Sequence, residues 1–141
     1  MENGQEPVNQ SGLKRIRDFT DLETGRFARR LRVEVYRISQ GFPRNETFAL
    51  ASQIRRAAVS MTANIAEGFG RYSYQENIQF CRQSRGSVCE LRDHFTTALD
   101  AEYITKEQYS VLDRQAISVI KLINGYIRST KGRKDSSKDR N

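Results

Sequence analysis

At 141 residues and 16.3 kDa, with 37% hydrophobic and 29% charged residues, the chain suits one domain with a real core rather than two. A formal charge of +7 directs attention to polyanionic partners, nucleic acid first among them. No apolar run approaches 18 residues and no signal pattern opens the chain, so neither a membrane span nor secretion is expected, and the setting expected is cytoplasmic.

Residues 1–18 carry no sustained periodicity and read as a disordered leader. Regular spacing begins near Asp21, a suitable helix N-cap. Phe27, Leu31, Val35 and Ile38 then share one face of a first helix, with Arg26, Arg30 and Arg37 on the other. Gly41-Phe42-Pro43 should end it, because the residue before proline is driven out of the helical region. A second helix is expected from Asn45 as cap, with an apolar face of Leu50, Ile54, Ala57, Ala58, Met61, Ile65 and Phe69, and Gly68 and Gly70 suit a left-handed stop.

Ser73 with Glu76 reads as a capping box opening a third helix, whose apolar positions are Tyr74, Ile78, Cys81, Val88, Leu91, Phe95, Ala98 and Leu99. Thr105 with Gln108 is a second box, opening a fourth helix with Leu112, Ala116, Val119, Ile120, Ile123 and Ile127 inward. Residues 130–141 are polar and basic and read as a disordered tail. Short links between one-faced helices, each expected to reach 20 or more residues, favour antiparallel neighbours. The fold expected over 19–129 is therefore an all-α, antiparallel up-down-up-down four-helix bundle.

Charge is uneven along the chain. Residues 26–56 hold eight arginines against Glu34 and Glu46, a net +6, residues 73–103 net −2, and residues 128–141 net +4. Cys81 and Cys89 lie eight residues apart, about 12 Å along a helix axis, too far for a disulfide between them.

The segment QIRRAAVSMTANIAEG at residues 53–68 carries a family likeness. It resembles the bacterial four-helix bundle family known from intervening sequences of 23S ribosomal RNA genes. Agreeing flanks include Asp21, Leu22, Val35, Tyr36, Phe42, Pro43, Gly70, Arg71, Tyr72, Ser73, Glu76, Phe80, Gly86, Ser87, Glu90, Leu91, Tyr103 and Ile104, so the likeness spans roughly residues 19–130. The family often has an aromatic residue where this chain has Gly25, and a proline where it has Thr62. The resemblance implies a compact bundle that assembles as a ring-like homopentamer with no established enzymatic activity. It also implies a relation to the accessory protein of diversity-generating retroelements, which partners a reverse transcriptase and binds nucleic acid.

For site chemistry, arginines at helical spacing can grip successive phosphates bidentately. The nucleic-acid-binding candidates are Arg26, Arg29, Arg30, Arg37, Arg55 and Arg56 with Lys131, Arg133 and Lys134 of the tail; a solvated face, or pairing with acids of neighbouring subunits, is the competing reading. Aromatic interleaving is thin, which gives no support to base stacking. Gln53, Arg56, Ser60, Asn64 and Glu67 form a polar stripe, read as a subunit interface or as an interior network with Arg71 and Glu90 that fixes helix register; a ligand groove is the other reading. Glu67 and Glu90 are the one carboxylate pair expected on facing helices. His94 is the only histidine, expected at the surface or its boundary. One class of ribonuclease bundle carries an arginine separated from a later histidine by four to six residues; counting back from His94 those positions hold Cys89, Val88 and Ser87, so the motif is absent. No enzyme, metal or cofactor is expected. The function expected is a non-enzymatic homo-oligomer binding RNA or other nucleic acid; the alternative is a protein-interaction scaffold, for instance a reverse transcriptase subunit.

Overall fold

The computed structural model describes the backbone over residues 22–138 and the side chains over 22–132. Four helices account for nearly all of it: α1 Glu23–Ser39, α2 Leu50–Phe69, α3 Tyr74–Asp100 and α4 Lys106–Lys138. The expected leader at 1–18 and the cap at Asp21 lie outside the described residues. At 17 residues, α1 is shorter than the sequence spacing suggested.

Polar bonds across the seams fix helix direction. The Arg32 guanidinium donates to the Thr62 hydroxyl at 2.9 Å, and Arg55 Nε to the Ser39 hydroxyl at 2.8 Å, so α1 and α2 run antiparallel. The Ser84 hydroxyl donates to the Met61 carbonyl and Asn77 Nδ2 to the Gly68 carbonyl, which sets α3 antiparallel to α2. Arg92 Nε to Asp113 at 2.8 Å and Arg85 to Asn124 at 2.7 Å do the same for α3 and α4. The hydrogen bond from Arg92 to Asp113 also raises the guanidinium pKa above its ordinary value. The helices therefore alternate in direction, with α4 packing back on α1.

Between them lies one core, with Leu31, Val35, Ile54, Met61, Val88, Leu91, Phe95, Val119 and Ile123 fully buried. These positions follow the apolar faces read from the sequence. Tyr74 differs: it is exposed, because as the first residue of α3 it sits at the end of the bundle rather than along a seam.

The ends show what local sequence controls. Thr105 and Gln108 form the full capping box, each side chain accepting from the other's amide at 3.1 and 2.8 Å. At α3 the Ser73 hydroxyl accepts from the Glu76 amide at 3.4 Å. The start of α2 is a correction. Residues Arg44–Glu46 make a 3-10 turn, and the helix begins at Leu50 after Ala49, so Asn45 does not cap it. Its finish is another: Gly70 has helical φ and ψ, not a left-handed conformation. Gly68 is needed for proximity instead, since a Cβ there would lie 2.9 Å from Phe80 Cβ and 3.1 Å from the Asn77 carbonyl oxygen. The left-handed residue in the described chain is Glu102 (φ 64°), in the turn between α3 and α4.

Helix α4 continues to Lys138, through residues 130–138 that the sequence assigned to a disordered tail. No proline interrupts this stretch, and lysine and arginine are good helix formers, so the hydrogen-bond ladder started at Thr105 propagates past both Gly125 and Gly132.

Candidate nucleic-acid interface

The bundle has two distinguishable ends. The upper end holds the α1–α2 connection and the α3–α4 turn, where the Phe42 and Tyr103 rings meet at 5.5 Å. The lower end holds the α2–α3 turn, the start of α1 and the far part of α4. Antiparallel packing mixes charges that are remote in sequence, and it sorts them. The lower half takes Arg26, Arg29, Arg30, Arg32, Arg71, Arg82, Arg85, Lys121, Arg128 and Lys131 against Glu23, Glu67 and Glu76, a net +7. The upper half takes Arg37, Arg44, Arg55, Arg56, Arg92, Lys106 and Arg114 against Glu34, Glu46, Glu90, Asp93, Asp100, Glu102, Glu107 and Asp113, a net −1. The potential of the described molecule is therefore polarised along the bundle axis.

This sorting divides the candidate cations. Arg26, Arg29 and Arg30 lie exposed on the lower half of α1, where with Val33, Glu34 and Gln115 they line a groove of about 450 Å³. Arg30 also stands 5.6 Å over the Phe27 ring. Lys131 is exposed on the far part of α4, at the same end. The side chains of Arg133 and Lys134 fall outside the described ones, on the helical continuation of α4.

Arg37, Arg55 and Arg56 belong to the upper half. Arg37 pairs with Glu34 at 3.0 Å. Arg55 is built into the α1–α2 seam, bonded to Ser39 and stacked 5.4 Å over the Tyr36 ring. Arg56 is exposed near the acidic residues of α3. These six arginines do not form one continuous row.

The polar stripe on α2 also divides. The Ser60 and Ser87 hydroxyls meet at 2.9 Å, and Asn64 Nδ2 donates to the Ser60 carbonyl and hydroxyl, so this part bridges α2 and α3. Glu67 pairs with Arg71 at 3.2 Å on the surface, Glu90 lies 3.3 Å from His94, and Gln53 is exposed at the upper end. Arg71 and Glu90 therefore stand outside the seam network. Glu67 and Glu90 stand on the facing helices α2 and α3, but the register set by Ser84 on Met61 and Asn77 on Gly68 separates them by about 16 Å along the axis. His94 is buried, at 8% exposure, rather than at the surface. No three His, Cys, Asp or Glu among the described residues cluster so as to hold a metal ion.

Sequence reading overlooked Asn77. It is buried, and its Nδ2 donates to the Gly68 carbonyl at 2.6 Å and the Tyr126 hydroxyl at 3.2 Å, joining α2, α3 and α4 at the lower end. The signal was an amide occupying an inward position beside Ile78. Arg128, exposed on α4, belongs to the basic stretch 128–141 and is not among the sequence candidates. Tyr72, fully exposed in the α2–α3 turn, has no signal in the sequence beyond the family resemblance.

The fold and this polarity define an all-α four-helix bundle with one basic end. The family model for the 23S rRNA-intervening sequence protein matches residues 20–125, and the chain belongs to that family. Among solved structures, it is similar to a protein of unknown function from the S23 ribosomal protein family of Bacteroides thetaiotaomicron VPI-5482, at 22% identity and a TM-score of 0.69, over 74% of this chain and 97% of that one. No curated protein matches it. No helix among the described residues is long and apolar enough to cross a membrane.

Proposed function

We propose that this bundle is a non-enzymatic cytoplasmic protein that binds RNA or another nucleic acid electrostatically through its lower end. The carrying observation is the separation of charge, a net +7 on the lower half against −1 on the upper. Arginine guanidinium groups match phosphate geometry, and each phosphate neutralised releases counterions. The family's name supports the same reading. Anisotropy of a labelled RNA hairpin measures it: affinity should fall at least ten-fold between roughly 50 and 200 mM salt. No binding at the lower salt, or binding indifferent to salt, removes the proposal.

The resemblance to a family of ring-like homopentamers joins one structural observation. Val33 and Tyr36 of α1 and Val59 of α2 are exposed apolar residues, a surface that a second copy would cover. We propose homopentameric assembly through it, and light scattering at micromolar concentration that returns a 16.3 kDa monomer refutes the assembly without touching nucleic-acid binding. If the basic end instead docks an acidic protein such as a reverse transcriptase, a partner co-purified from native lysate will survive nuclease treatment.

A further inference from the structure

We propose that the lower end takes an unpaired strand, with Tyr72 and Tyr74 forming a stacking platform for its bases; the inference rests on the nucleic-acid reading above and assigns it a substrate class.

Tyr72 is 103% exposed and Tyr74 41%. Other tyrosines are engaged within the fold: Tyr103 with Phe42, Tyr126 with Asn77 and Tyr36 beneath Arg55. The Tyr72 ring buries nothing, so folding gives no account of an aromatic there. Ser73 between the two is extended (φ −79°, ψ 126°), so the two rings leave the chain within one short stretch at the start of α3.

The platform lies inside the basic field. Asn77 bonds both Gly68 and Tyr126, so the turn one helical step below it is level with Arg128 and Lys131 of α4, both exposed. The α1–α2 register brings Arg26 and Arg29 to the height of residues 65–68 of α2, about one turn above Tyr72. Arg71 stacks 5.0 Å over the Phe80 ring and stiffens the turn that carries Tyr72. Cations that hold phosphates beside flat rings that hold base faces make a single-strand surface, because a duplex keeps its base faces inside the stack. Phe48, 96% exposed, stands at the acidic upper end and lacks that field, which makes it the internal control.

The experiment compares a labelled oligouridylate of about 12 nucleotides with a fully paired RNA duplex of equal length, by anisotropy on the full chain. Tyr72→Ala should weaken the oligouridylate roughly ten-fold and leave the duplex unchanged. Tyr72→Phe, which keeps the ring, should restore the affinity, and Phe48→Ala should change neither. The salt slope should stay the same in Tyr72→Ala, since no phosphate contact is lost. Oligouridylate affinity unchanged in both Tyr72→Ala and the Tyr72→Ala/Tyr74→Ala double variant, or an equal loss on the duplex, overturns the platform. In that event Arg26→Glu with Arg128→Glu, by weakening both probes, would leave the electrostatic reading standing. Wild-type protein that binds neither probe overturns both.

Discussion

Cys81 and Cys89 occupy the same helix, yet burial separates their chemistry. Cys81 is buried, and loss of solvent pushes its thiol up to about 11, while Cys89 is exposed. A raised thiol pKa means that the folded chain keeps a proton the unfolded chain releases above about pH 9, so this contribution to stability declines as pH rises from there towards 11. Near neutral pH a maleimide should modify one thiol per folded chain, and the second only on unfolding; two fast equivalents would contradict the burial of Cys81. Glu102 is the other residue whose conformation departs from its type. It holds the left-handed position of a C-terminal cap, where its amide donates to the Leu99 carbonyl at 3.0 Å and that of Tyr103 to Ala98 at 2.8 Å. Glu102→Gly removes the Cβ penalty and should raise stability by about 0.5–1 kcal/mol in urea denaturation.

At the scale of elements, the contact of α2 with α3 depends on small side chains. Gly68, Ser60, Ser84 and Ser87 bring the two helices together, and at Gly68 the opposing atoms are a Cβ and a backbone carbonyl that have little freedom to yield. Gly68→Ala gains about 1 kcal/mol of helix propensity but overlaps Phe80, and the overlap should dominate with a net loss of about 1–2 kcal/mol by urea denaturation. The helices themselves were legible in the sequence. Leu31, Ile54, Val88 and Val119 announce inward faces by their spacing, and the Thr105–Gln108 box forms as read. What sequence missed depended on partners remote in the chain. Gly68 looks like a helix terminator until Phe80 and Asn77 are seen opposite it. Asn45 looks like a cap, but the chain makes a 3-10 turn first. The basic end of α4 has the composition of a disordered tail, yet it continues a helix begun 25 residues earlier.

Across the whole molecule, the proposed function rests on how topology sorts charge. Along the sequence the strongest basic block is residues 26–56, and on that basis one arginine face seemed to run through α1 and into α2. Folding sends Arg37, Arg55 and Arg56 to the acidic end and brings Arg128 and Lys131 to the end of the bundle at which α1 starts. No linear reading joins those residues, because their proximity is created by α4 returning antiparallel past α1. The candidate site was thus legible in residue type but not in place. Photo-cross-linking of thiouridine-bearing RNA, mapped by mass spectrometry, tests that placement most directly. The account predicts adducts in peptides from residues 22–33, 69–76 and 121–132; adducts concentrated instead in residues 90–108 would contradict it.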